Sequence, residues 1–293
     1  MSKYLHTFQS IPASGVKGST VFRIGERIFL AFPQFSEDIP GVTSSLDSGN
    51  SDVDILLYEW TGEGFEIFQR IPSHGTRNIG YWELDGHHYI GSSCLRSGPD
   101  EPYNLHTYSK VYEWDGTRFF PIQQFLTHSA KNTQGFELEG RHFLAIANGE
   151  LLSSDATPTD ESASHIYEWK DGRFEHFQAI PSLAGFNWTY FNMDGAHYLI
   201  FVENSRASTI YKWDGKQFAE LQSLDQHGGR HAVYFELDGG QYIAFANLAK
   251  ESSIYKWDGS QFVQHQVFDF VGGHSFLFFQ ENGQSYLMSA NYI

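Results

Sequence analysis

Six glutamines, Gln9, Gln69, Gln123, Gln178, Gln222 and Gln266, recur along the chain and bring chemistry with them at a fixed offset. Eight residues after each stand Lys17, Arg77, Lys131, Phe186, Arg230 and His274. Five of these six side chains can carry positive charge, on a chain whose formal charge is −16. The next position reads Gly18, Asn78, Asn132, Asn187, His231 and Ser275, a tier made mostly of hydrogen-bonding groups. Lys and Arg backed by Asn can grip a carboxylate or phosphate, arginine in bidentate fashion. Gathered in one cleft, they would focus potential on an anionic or polar ligand. The candidate ligand-binding set is therefore Lys17, Arg77, Asn78, Lys131, Asn132, Asn187, Arg230, His231 and His274. A purely structural reading stands beside it, in which the same cations pair with loop acids or backbone carbonyls.

Histidines add a second possibility. His74, His128 and His227 each lie three residues before a basic position, and His231 and His274 belong to the two tiers themselves. Any of the five could shuttle a proton as general acid or base. Their spacing along non-helical chain does not form a ligand set, so no metal site is assigned. Cys94 ends a strand where other copies carry Gln34, Asn148, Glu203, Asn247 and Asn291, so it reads either as a nucleophile needing a base or as a small polar cap. The loop with Glu37, Asp38, Asp47, Asp52 and Asp54 offers oxygens to calcium without EF-hand spacing, and a solvated loop is expected there. Gly228-Gly229 and Gly272-Gly273 precede strands, which removes the helix N-terminus that a phosphate cradle needs. No cofactor is implied.

The elements that must position these groups repeat. Ile254-Tyr255-Lys256-Trp257-Asp258-Gly259 recurs at Ile210 to Gly215 and, more loosely, around Trp169, Trp114 and Trp60. Tyr234-Phe235-Glu236-Leu237-Asp238-Gly239 recurs from Tyr81, Gly135 and Tyr190, with weaker copies at Val21 and Phe278. Asp-Gly or a close equivalent between short alternating runs is a strong hairpin signal. Each repeat thus reads as four strands, A to D, with tight A–B and C–D hairpins. The spacing predicts an all-β fold, a six-bladed β-propeller of four-stranded antiparallel blades. The repeats run over approximately 13–72, 73–126, 127–181, 182–224, 225–268 and 269–293 plus 1–12, in a single domain of 1–293. Closure of the ring is expected from the N-terminal run Leu5 to Pro12 pairing in the same sheet as Ser285 to Ala290. The basic positions are expected in the D–A connections, around the mouth of the central channel, on the side of the long B–C loops at 34–54, 94–109 and 148–164.

The Tyr-x-Trp-Asp-Gly-x-x-Phe string with its downstream Gln resembles the epilepsy-associated (EPTP, EAR) repeat over nearly the whole chain. The resemblance implies a propeller and binding to other proteins. That family's members have seven repeats and a secretory context, against six repeats and no visible leader here.

Acidic composition argues against nucleic acid or an anionic membrane as partner. The chain reads as soluble, with the compartment open and the cytoplasm favoured. Two functions follow. One is a binding propeller that presents its loop-rich face and basic mouth to a protein or small anionic ligand. The other is an enzyme at that mouth, with Arg and Lys orienting substrate and a histidine moving a proton.

Overall fold

The structure, a computed structural model, describes residues 6–45, 48–150, 156–224 and 227–292. It is built of β-strands, and no helix among the described residues is long and apolar enough to cross a membrane. The chain divides into two compact units, one ending at Leu126 and one starting at Thr127.

The first unit holds two four-stranded sheets. One is formed by β1 (Thr20–Ile24), β2 (Arg27–Phe32), β3 (Ile55–Trp60) and β4 (Phe65–Ile71). The other is formed by β5 (Thr76–Leu84), β6 (His87–Cys94), β7 (His106–Trp114) and β8 (Phe119–His128), whose end runs past the boundary. The second unit holds three more: β9 (Asn132–Leu138) to β12 (Arg173–Ile180) by way of β10 (Arg141–Ala147) and β11 (Ser164–Lys170); β13 (Gly185–Met193), β14 (Ala196–Glu203), β15 (Ser208–Trp213) and β16 (Phe218–Leu224); and β17 (Gly229–Leu237), β18 (Gly240–Asn247), β19 (Ser253–Trp257) and β20 (Phe262–Val267). A sixth sheet has two strands, β21 (Gly273–Glu281) and β22 (Gln284–Asn291). Each four-stranded sheet is a meander of sequence neighbours with strand types A to D in the expected order, while the sixth sheet holds only A and B among the described residues.

The Asp-Gly pairs act in two ways. Between strands A and B, Asp85-Gly86, Asp194-Gly195 and Asp238-Gly239 all take positive φ at both residues, the two-residue turn whose twist matches a hairpin. Between C and D, Asp115, Asp214 and Asp258 instead accept two backbone N–H groups through Oδ1, from Thr117 and Arg118, Lys216 and Gln217, and Ser260 and Gln261. At Asp115 the Thr117 hydroxyl first and then these N–H groups, at Asp214 the N–H groups, and at Asp258 the N–H groups with the Ser260 hydroxyl hold the carboxyl below the usual aspartate range.

Neighbouring sheets within a unit are joined by two repeated devices. Strand A aromatics stack face to face: Phe22 on Tyr81, Phe136 on Tyr190, Phe191 on Tyr234 and Phe235 on Phe278, with ring centroids 4.4 to 4.7 Å apart. The second device is the glutamine itself. Gln69 donates to Phe119 O at 2.8 Å and accepts from Phe119 N at 3.0 Å. Gln9 does the same to Phe65, Gln178 to Phe218 and Gln222 to Phe262. A side-chain amide carries a donor and an acceptor side by side, so it substitutes for one strand residue and ties an outer strand to the next sheet.

The expected pairing of Leu5 to Pro12 with Ser285 to Ala290 is not among the ladders. Leu5 lies outside the described residues, His6–Pro12 form no strand, and β22 pairs with β21 alone among the described residues. The N-terminal segment is anchored instead in the first unit, through the Gln9 bonds to Phe65 and the packing of Ile11 on Leu30, Leu56 and Tyr58.

Candidate functional site

Four of the six positions, Arg77, Phe186, Arg230 and His274, sit on strands, where a connection was expected. Strand A begins earlier than the Tyr81-type positions suggest, because the backbone takes on an irregularity there and resumes pairing. The register shifts between Thr76 and Asn78, Gly185 and Asn187, Gly229 and His231, and Gly273 and Ser275. The skipped residues are Arg77, Phe186, Arg230 and His274. Each is the extra residue of a β-bulge, a device that re-aims a side chain and is over-represented beside functional sites. Lys131 immediately precedes β9, its N–H donating to Ala147 O at 2.9 Å, and Lys17 follows Val16, which bridges to Gln34.

In the second unit these groups form one cluster. The half-buried Phe186 ring has Lys131 Nζ 5.7 Å from its centroid and Arg230 Cζ 4.3 Å from it. Both cations also bond to protein oxygens, Lys131 to Gly149 O and Arg230 to Asn204 Oδ1 and Gly229 O. Beside them Glu203, 2% exposed, accepts from the N–H groups of Ala184 and Leu183. Burial pushes its carboxyl up, against the opposing pull of those amides, Arg206 and Lys131. The cluster is therefore cation, aromatic, cation over a buried acid. It could take a ligand that combines an anionic group with a flat or apolar one.

The second tier has a structural use. Asn132 Oδ1 accepts from Trp188 N at 2.9 Å, Asn187 Oδ1 from Ala232 N at 3.5 Å, and His231 Nδ1 from Phe276 N at 3.4 Å. Each acceptor thus reaches from one strand A to the next sheet's strand A. His227 Nδ1 lies 3.0 Å from Ser205 O, His128 Nε2 lies 3.7 Å from Glu150, and the His274 ring meets Tyr292 edge-on at 5.1 Å.

In the first unit, Lys17 Nζ lies 5.1 Å from the Phe35 ring, and Arg77 and Asn78 are half-buried on their bulge. His74 Nδ1 meets Asp52 Oδ1 at 2.8 Å. Although partial burial works the other way, the Gly98 N–H and His74 hold the Asp52 carboxyl below its ordinary range. Along the loop at 34–54, Glu37, Asp38 and Asp52 are exposed, as expected of a solvated loop, and Asp47 lies outside the described residues. Ser51 and Val53 are buried, and Arg96, 5% exposed, threads between this loop and the one at 94–109. Its Nε donates to Ser51 Oγ at 2.7 Å and its guanidinium lies 3.6 Å from the Tyr103 ring centroid and 4.3 Å from that of Phe35. The sequence reading missed Arg96, which stands outside every repeated position.

Cys94 is buried at 1% exposure, with Ser73 Oγ at 3.5 Å and Thr76 Oγ1 at 3.7 Å around its sulfur. Its N–H donates to Ser109 Oγ, as those of Asn148, Glu203 and Asn247 donate to Ser164, Ser208 and Ser252. The shared pattern is that of a strand cap.

The family model of the EPTP domain matches residues 173–214 and 217–258. The human "Thrombospondin-type laminin G domain and EAR repeat-containing protein" is 28% identical over 169 residues, which is 55% of this chain and 24% of that protein. "Leucine-rich repeat LGI family member 3" of Macaca fascicularis is 30% identical over 111 residues, 36% of this chain and 18% of that protein. The chain spans about a quarter or less of the length of the curated relatives it matches. Among solved structures, the SapL1 lectin in complex with alpha methyl fucoside superposes with a TM-score of 0.57 at 11% identity, covering 95% of this chain and 90% of that one. The Pseudomonas aeruginosa periplasmic gluconolactonase PpgL gives 0.59 at 14% identity, covering 83% and 73%. At these identities the likeness is one of fold.

Proposed function

We propose that the chain, which the EPTP family model matches over residues 173–214 and 217–258, is a binding module of the EPTP/EAR-repeat kind whose sheets are the blades of a propeller. Its ligand is a polar or anionic group, carried by a partner protein or a small molecule, received where the bulged strands turn their side chains out. One observation carries this reading: Phe186 held between Lys131 and Arg230 on consecutive strand A positions. An aromatic ring offers a flat contact of low entropic cost, and the flanking cations offer charge-assisted hydrogen bonds to a carboxylate, phosphate or sulfate. The names of the relatives and of the lectin neighbour agree with binding in general and leave the ligand to be identified. Of the histidines considered for proton transfer, His231 spends its imidazole acceptor on the Phe276 backbone.

Calorimetry tests the reading with a panel of citrate, inorganic phosphate, a sulfated disaccharide and acidic peptides containing Trp or Tyr. At least one class should bind, and Arg230→Ala and Phe186→Ala should each weaken it by roughly tenfold or more, as loss of a partly desolvated charge or stacking contact does. Binding untouched by either change, or no binding across the panel, would overturn the proposal.

A further inference from the structure

The connection from β6 to β7 carries a surface cavity of about 490 Å3, lined by Glu101, Pro102, Tyr103 and Leu105. Its walls are apolar or aromatic apart from one carboxylate. Glu101 is exposed, and its carboxylate has no partner among the described residues. Asp100 beside it, also exposed, spends Oδ1 on the Glu101 N–H at 2.8 Å. The lining is held in place before anything binds. Tyr103 donates its hydroxyl to Gly49 O at 2.8 Å, and the Arg96 guanidinium lies 3.6 Å from its ring centroid. Ser97 and Asn104 exchange two backbone hydrogen bonds of 2.9 Å across the base of the connection. A partner received here would have little ordering of the protein to offset.

The field around this cavity has one sign. The loop at 34–54 is bonded to the same connection: Ser51 N–H donates to Gly98 O at 2.9 Å and Gly98 N–H to Asp52 Oδ1 at 3.0 Å. Glu37 bridges to Asn50, the residue next to Gly49. Five acidic residues stand in 34–54 and two in 94–109, and Arg96 is the one Lys or Arg in either segment. Arg96 is itself enclosed between Phe35 and Tyr103, whereas Glu37, Asp38, Asp52, Asp100 and Glu101 are exposed. Apolar walls under a negative field complement a cationic head on a hydrocarbon stem, which is what Lys and Arg present. A hard metal ion is a poorer match, because it needs several oxygen ligands and the lining offers one carboxylate.

We propose that this cavity docks a Lys- or Arg-rich extended segment of a partner protein. One basic side chain lays its stem on Pro102, Tyr103 and Leu105 and sets its charge against Glu101, while its neighbours along the segment face the acids of 34–54. The surface lies wholly within the first unit, shares no residue with the cluster of Lys131, Phe186 and Arg230, and takes charge of the opposite sign. It therefore stands or falls separately from the anion site.

The test uses the full chain and short fluorescein-labelled peptides of alternating Arg and Gly, Lys and Gly, or Glu and Gly. Fluorescence anisotropy is read at about 0.15 M salt, where exposed charges act over about 8 Å. A basic peptide should bind and the acidic one should not. Glu101→Gln should weaken binding about threefold to fivefold, and Glu101→Lys at least about tenfold through the added repulsion. Leu105→Ser keeps every charge and should still weaken binding about threefold, through the lost apolar contact. Glu66→Lys, at an exposed position on β4, makes the same change of net charge and should matter by less than about twofold. Circular dichroism checks each variant, and if Glu101→Lys misfolds, Glu101→Gln decides. Equal losses for Glu66→Lys and Glu101→Lys would show attraction to net charge alone and overturn the proposal. So would a basic peptide that fails to bind, or one that calcium displaces at matched charge.

Discussion

The Phe276 backbone N–H donates to His231 Nδ1 across adjacent strands, 3.4 Å apart, and so requires that nitrogen unprotonated. Burial, aided by the charge of nearby His274, lowers the His231 pKa to about 4. In the unfolded chain a histidine titrates near 6.5. Between those values the unfolded state binds a proton that the folded state refuses. The contribution to stability is therefore complete above about pH 6.5 and is lost as the pH falls towards 4, to a limit of about 3 kcal/mol. His231→Asn supplies the acceptor used at Asn132 and Asn187 without the titration. Urea unfolding at pH 7 and pH 5 should show the wild type losing about 2 kcal/mol more than this variant, and equal losses would refute the assignment.

Gln222 closes two hydrogen bonds on Phe262, at 2.7 and 2.8 Å, and thereby ties β16 to the sheet of β19 and β20. Gln222→Ala leaves a backbone donor and acceptor of Phe262 without their partner, at a cost of about 1 to 3 kcal/mol. Gln222→Glu restores the acceptor but not the donor and should recover less than half of the loss. Gln266→Ala, where no such bond exists among the described residues, should change the stability of the single chain by under about 0.5 kcal/mol.

The sheets were legible in the sequence because hairpin turns and strand alternation are local: Asp85-Gly86 and Asp238-Gly239 fix their turns whatever surrounds them. The glutamines were legible as a ruler and not as clamps, since their partners lie 40 to 56 residues away. The bulges were hidden for a related reason. An extra residue at Arg77 or Arg230 leaves the repeat length unchanged, and only cross-strand register exposes it. Arg96 was hidden because a buried guanidinium between two irregular loops has no periodic signature.

Arg141 shows how much a repeated position can hide. Its guanidinium lies 5.0 Å from the Phe143 ring centroid, 5.5 Å from Phe177 and 5.3 Å from Trp213, while Nε donates to Glu168 at 2.7 Å. Arg27 repeats the arrangement in the first unit with Phe29, Phe68, Trp114 and Glu59. Arg141→Ala removes the stacked cation and leaves the buried Glu168 carboxylate with Lys170 alone. Thermal or urea unfolding should register a loss of about 2 to 4 kcal/mol. Arg141→Lys should recover only part of it, because an ammonium cannot stack as a planar group.

The last prediction concerns the glycine that lets the bulge form. Gly229 lies directly before Arg230, and a Cβ there would meet Val202 Cγ1 at 2.7 Å, Glu203 O at 2.8 Å and Phe245 Cζ at 2.9 Å. Gly185, before Phe186, is as tightly enclosed, with Asn148 O and Phe201 Cζ both at 2.6 Å. Backbone and ring atoms cannot yield as a flexible side-chain tip does, so a methyl group must push the strand away from its neighbour. Gly229→Ala should cost about 1 to 3 kcal/mol through overpacking. It should also move Arg230 off Phe186, so ligand affinity should fall by a factor similar to that of Arg230→Ala although the charge is retained. Gly239→Ala, at an exposed turn with open space around it but φ of +73°, provides the comparison. It should lower stability through backbone strain and leave affinity as it was. Calorimetry on the two variants separates the outcomes: affinity lost in both, or in neither, would show that the bulge does not aim the arginine.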